Sequence, residues 1–193
     1  MIGALVVVTA PTVEPLTLAE AKAHLRVTAV DENDLITSYI ATARQHLDGQ
    51  YGWMGRAFCS QTWDYKLDAF PCVIRPPLSP IQSVTSIKYL DTAGDEQTLA
   101  TAKYRSDLVT EPARITEAYG ETWPSTYDVT NAVTVRIVAG WTSAALVPEP
   151  IKLAMRLLIA HWYGNREAFL EGAVAKDVDA ALARLLMPLR VWA

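Results

Sequence analysis

Apolar residues recur at helical spacing in four stretches, and a long alternating stretch lies between the second and the third. The first stretch opens at Thr17-Leu-Ala-Glu20, a capping-box pattern in which the Thr hydroxyl accepts from the third helical N–H and the Glu reaches back. It predicts a short helix to about Arg26 with Leu18, Ala21 and Leu25 along one edge. Leu35, Ile36, Tyr39, Ile40, Ala43 and Leu47 predict a second helix, which Gly49 to Gly52 ends. The acids Asp31, Glu32 and Asp34 crowd its start, where they are expected to cap it and complement the helix dipole.

The third stretch, residues 147–167, is the most apolar. Pro148 and Pro150 suit a first helical turn, Glu149 complements its positive end, and Gly164-Asn165 ends it. Ile151, Ala154, Met155, Leu158 and Trp162 form one stripe, widened by Leu153, Leu157 and Ala160. Only Lys152 and Arg156 mark a polar edge, so most of this helix requires cover. A last helix follows, with Val174, Val178, Leu182, Leu185 and Leu186 on its stripe. Pro188 is expected to stop it and leave residues 189–193 extended.

From Phe58 to Gly140 the period changes to two. Gln61 to Leu67 puts Trp63, Tyr65 and Leu67 on one face, and the 84–90 and 96–99 segments flank a hairpin loop at 91–95. Further strands are expected at 104–109, 113–116 and 131–138, with a surface loop at 117–127. The N-terminal M-I-G-A-L-V-V-V-T-A-P lacks the basic start of a signal peptide and reads as an extended segment or edge strand. The predicted fold class is α+β: a helical bundle with an inserted antiparallel β unit. Residues 1–55 supply an N-terminal segment and helical hairpin, 56–146 the β subdomain, and 147–193 the C-terminal helices and tail.

Composition narrows the functional classes. At 193 residues and 51% apolar the chain can bury a sizeable core, and no stretch reaches the length of apolar sequence that a membrane span needs. With 17 basic and 21 acidic residues the net charge is −4, and no basic run exceeds two residues, so nothing is patterned to wrap nucleic acid. Cys59 and Cys72 lack CxxC spacing and read as free thiols, although the sequence leaves a bridge open.

Catalytic signatures are absent from the sequence. His24, His46 and His161 have no second ligand at i+3 or i+4, so no metal site is expected. No phosphate-binding glycine loop or nucleophile elbow occurs, and no cofactor is expected. The densest mixture of aromatic and charged groups is His161-Trp-Tyr-Gly-Asn-Arg-Glu167. It reads as a packed helix end, with a small enzyme site near His161 and Arg166 as a weaker alternative.

Four ordered stretches carry a resemblance: L-T-L-A-E-A-K-A-H-L (16–25), D-E-N-D-L-I-T-S-Y-I-A-T-A-R (31–44), P-P-L-S-P-I-Q-S-V-T-S-I-K-Y-L-D (76–91) and V-P-E-P-I-K-L-A-M-R-L-L-I-A-H-W-Y-G-N-R-E-A (147–168). In order and spacing the chain resembles the head–tail connector adaptors of tailed phages, in the group with a β insertion that also occurs in gene transfer agents. The resemblance implies a structural virion protein without catalytic residues, made in the bacterial host cytoplasm and located at the capsid–tail junction. It implies a ring of about twelve subunits, joining the portal to a stopper or tail-terminator protein and extending the DNA channel without specific DNA binding. By position it implies portal contact through Leu189, Arg190, Val191, Trp192 and Ala193. Lys152, Arg156, Arg166 and Glu167 are candidate subunit contacts, and a tail-side stopper or terminator of the same junction is the alternative reading.

Overall fold

A computed structural model describes residues 3–50, 52–166 and 174–191, and for 174–179 only the backbone. The described residues form seven strands and four α-helices: β1 (Ala4–Thr9), α1 (Leu18–Leu25), α2 (Asn33–Leu47), β2 (Gln61–Leu67), β3 (Ile81–Leu90), β4 (Glu96–Thr98), β5 (Tyr104–Asp107), β6 (Arg114–Glu117), β7 (Val133–Ala139), α3 (Glu149–Gly164) and α4 (Val174–Leu186).

Local chemistry sets the helix boundaries. The capping box at Thr17 forms as expected, with Glu20 N–H donating to the Thr17 hydroxyl and Thr17 N–H donating to the Glu20 carboxylate at 2.8 Å. Arg26 turns left-handed to end α1, and Lys22 staples the link by donating to the Ala29 carbonyl at 2.8 Å and to Asn33 Oδ1 at 2.7 Å. The start of α2 departs from expectation. Its N-cap is Glu32 and no side chain caps it, because Glu32 instead pairs with Arg166 at 3.0 Å. Pro148 and Pro150 open α3 as expected, and Asn165 closes it by donating from both backbone and side chain to the His161 carbonyl.

The main sheet has five antiparallel strands in the order β1-β2-β7-β3-β4, and β5-β6 form a separate two-stranded ribbon. Its centre is β7, where Val133, Val135, Ile137 and Ala139 are fully buried on one face. On the opposite face Arg136 lies directly across from Asp64 and forms a two-pronged pair at 2.8 and 2.9 Å. The edge strand β1 comes from ahead of the helices, so the sheet is not wholly an insertion between them. Its alternate residue Leu5 packs into the core beside Tyr65.

Two hydrophobic cores result. One gathers the helices around the Ile151, Ala154, Met155, Leu158 and Ile159 face of α3; the other lies between the sheet and the ribbon, where Ile74 and Ile115 exchange backbone hydrogen bonds at 2.9 Å. Phe58 and Trp141, 6.5 Å apart between ring centroids, bridge the two strand-to-helix crossings. The polar edge expected on α3 is different: Lys152 is buried, its side chain 8% exposed, whereas Leu153 faces out. The long Lys stem packs as an apolar group while its ammonium reaches Glu149 at the helix start, 3.5 Å away.

Candidate functional site

Three polar groupings organise the described surface, and each is built from separated parts of the chain. The first sits where α2 runs into the sheet. Asp48, just past the end of α2, is buried; it accepts from the Phe58 backbone N–H at 2.9 Å and from Gln61 Nε2 at 3.1 Å. Gln61 is fixed in turn by accepting from Trp63 Nε1 at 3.1 Å, and Arg44 approaches Asp48 at 3.4 Å while bonding Glu14 at 2.8 Å. Burial outweighs these partners and pushes the Asp48 carboxyl above its ordinary range. Gly49 makes the turn that follows with φ +78°, which a side chain would resist.

Arg56 is the second centre. Its guanidinium grips Glu111 with two bonds, 2.9 and 2.6 Å, and lies 5.7 Å from the Trp141 ring centroid. Its Nε donates to the Leu189 carbonyl of the C-terminal segment. That segment continues α4 through a 3-10 turn, Met187–Leu189, with Pro188 inside it; Pro188 does not end the helical winding where the sequence placed the stop. Arg190 then lies over Trp53 at 4.7 Å, and Val191 N–H donates to the Met54 carbonyl at 3.0 Å. Leu189, Arg190 and Val191 are thus held against residues 53–56 of their own subunit. Trp192 and Ala193 lie outside the described residues. Beside this latch is a cleft of about 400 Å³ lined by His46, Leu47, Trp53, Leu182, Ala183 and Leu186.

The third grouping is the end of α3. Trp162 packs on Tyr39 with ring centroids 6.2 Å apart, Arg166 lies over Tyr163 at 4.7 Å while pairing with Glu32, and Asn165 bonds the His161 carbonyl at 2.8 Å. These contacts tie α3 to α2 and to the turn ahead of it. Glu167 lies outside the described residues. At the other end of α3, Arg156 and Lys152 both face Glu149, at 2.8 and 3.5 Å, so the sequence-nominated contacts Lys152, Arg156 and Arg166 do not share one site.

Cys59 is buried, and desolvation foremost, with Asp48 and Glu14 nearby, pushes its thiol up to about 11, so it is held as the unreactive thiol. Cys72 is exposed, and both cysteines are free. Among the described residues no group of three metal-binding side chains occurs.

Sequence reasoning missed Asp48, Arg56 and Glu111. Their partners lie 10, 55 and 133 residues away, at distances no periodicity reports. The only local sign was a charged residue beside the Gly-rich turn at 49–55.

Residues 15–92 match the phage gp6-like head-tail connector protein family. The connector resemblance read from the sequence is borne out. The matched span runs from the start of α1 through β3 and includes the Asp48 and Arg56 centres. Among solved structures, a chain from the neck of an empty gene transfer agent (GTA) particle, computed with C6 symmetry, is similar over nearly the whole length. It is 26% identical, covering 98% of this chain and 96% of that one, with a TM-score of 0.76. A chain in the virion of a native GTA particle is 23% identical with a TM-score of 0.71, and one in the neck of a native GTA particle computed with C12 symmetry is 24% identical with a TM-score of 0.69. Both have the same coverage and share the fold of this chain. No curated protein matches the chain.

Proposed function

We propose that the chain is a structural head–tail connector that closes into a ring of about twelve copies at the neck of a phage-like particle. In this reading the ring seats on the portal, receives a stopper or tail-terminator protein on its other side, and lines the channel along which DNA passes. The observation that carries it is the full-length similarity to a chain from a GTA neck, at 26% identity and a TM-score of 0.76. A net charge of −4 per copy suits a channel that does not retain DNA. The helices complete one bundle around α3, and no catalytic role is assigned, since the polar groups at His161 and Arg166 are engaged within the subunit.

Two surfaces are proposed for assembly. The C-terminal segment, residues 189–193, is the portal contact, presented by the latch on residues 53–56. Arg156, Arg166 and Glu167 border the neighbouring subunit, with Lys152 holding Glu149 in place from within. The deciding experiment is electron microscopy of the chain mixed with the portal protein from the same particle. A ring seated on the portal is expected; the absence of any ring or complex across conditions would sink the reading, and binding to the tail tube alone would reassign the chain to the tail side.

A further inference from the structure

β1 is the outer strand of the main sheet, and its sequence is Ala-Leu-Val-Val-Val-Thr. Exposed edges in soluble proteins are normally blunted by a Lys, a Pro or an inward charge, because an open row of N–H and C=O groups recruits further strands. β1 carries none of these. Only Leu5 is covered, at 7% exposure, whereas Val6, Val7 and Val8 retain 46, 49 and 44% and Val13 retains 54%. Register puts Val7 opposite Trp63 and Val6 opposite Asp64, so valines stand out on both faces of the edge. Among the described residues no backbone hydrogen bond reaches β1 beyond its ladder with β2.

One cleft touches this edge, and a second lies by the chain that follows it. The first, of about 190 Å³, lies by Val7, Pro11 and Trp63; the second, of about 280 Å³, lies by Val13, Trp141 and Ala144. The charges nearest the first cleft, Arg44 and Asp48, are engaged with each other and with Glu14. An open strand edge with exposed valines and a cleft beside it is the arrangement that accepts an extended segment from another chain.

We propose that the β1 edge and the cleft beside Val7 receive a neighbouring copy of this chain, forming one side of a head-to-tail ring contact; this rests on the ring reading above. Necks of the similar GTA particles were computed with C6 and C12 symmetry, and in such a ring a patch present on every copy meets the same neighbour at every position. The contact is head-to-tail because two β1 edges pairing with each other would close a two-fold dimer and leave no edge with which to continue around an axis. The other side of the contact is a different, apolar surface. The chain displays such side chains at Val109, 94% exposed, and Tyr119, fully exposed, both on loops that border the β5–β6 ribbon.

The test places the photoreactive residue benzoylphenylalanine at Val7, with Val6 as a second position, and irradiates assembled particles. The expected product has twice the chain mass, and its mapped peptides join residues 3–13 of one copy to residues outside 3–13 of another. A bond to a different neck protein overturns the proposal, as does a bond between residues 3–13 of two copies, or no bond in particles that contain the chain. Particles that assemble without any of this chain overturn the connector reading itself, a separate outcome. As an independent arm, Val7→Lys is expected to keep its thermal midpoint and to lose at least tenfold in ring incorporation. A full complement of Val7→Lys subunits in rings also overturns the proposal.

Discussion

Asp48 accepts a hydrogen bond from the backbone N–H of Phe58 at 2.9 Å, and through it the end of α2 is fastened to the chain entering the sheet. The carboxylate is buried, and its second oxygen is shared by Gln61 and Arg44. Asp48→Asn keeps the size but presents an NH₂ group to two donors, so it is expected to cost about 1–3 kcal/mol in urea unfolding. Because burial raises the folded-state pKa, the stability that Asp48 contributes is full at acid pH and declines as pH rises through the raised value. The gap between wild type and Asp48→Asn should therefore be larger near pH 4 than at pH 7. A gap that widens toward neutrality would contradict this.

The capping box titrates in the opposite direction. Hydrogen bonds from Thr17, and then the charges of Lys152 and Arg156, hold the Glu20 carboxyl below its ordinary range. Its contribution is present above that range and is lost as pH falls through the lowered value. Thr17→Ala is expected to cost about 1 kcal/mol at pH 7, and the loss should shrink on acidification. Thermal melts of both proteins at pH 7 and pH 3 check the sign.

Arg56 holds Glu111 and the Leu189 carbonyl with one planar group, a geometry that Lys cannot reproduce. Arg56→Lys is expected to cost about 1–3 kcal/mol and to expose the C-terminal segment to protease while residues 3–166 remain intact. Deleting residues 189–193 should release the same latch, leave the rest folded, and weaken portal attachment. Mass spectrometry of limited digests, together with a portal pull-down, reads both. Unchanged protection in Arg56→Lys would show that the Val191–Met54 bond and the Arg190–Trp53 contact hold the segment without it.

Lys152 lies almost wholly inside the bundle, facing a Glu149 that is 73% exposed. A buried ammonium with so wet a partner gains little from the pair, so Lys152→Met is expected to fall within about 1 kcal/mol of wild type or to stabilise. Lys152→Glu, which puts a buried carboxylate beside Glu149, should cost about 3 kcal/mol or more. Denaturant midpoints of the two variants separate these outcomes.

The parts of the fold visible in the sequence were those encoded by repetition along the chain. Thr17 and Glu20 announced α1 because both halves of a capping box lie three residues apart. Trp63, Tyr65 and Leu67 announced β2 because a strand buried on one face must alternate. Lys152 was misread because its charge masks a stem long enough to be buried while the ammonium reaches the helix end. Asp34 does stand in the first turn of α2, but Glu32 was misread as a side-chain cap because the cation that claims it stands 134 residues away. Arg56 was invisible for the same reason: its value lies in joining Glu111 to Leu189, and neither distance leaves a local mark.

Pairing of β1 with β2 also determines which pieces of the chain can be exchanged with a relative. Compositional seams near residues 55 and 146 invite cutting there, but a transplant of that middle would leave its β2 to pair with a foreign β1. Leu5 would then face a Tyr65 it was not matched to, and Arg56 would face a foreign Leu189. A chimera that respects the hydrogen bonds must carry residues 4–9 and the C-terminal latch along with the middle, so the heritable unit of this subunit is close to the whole chain.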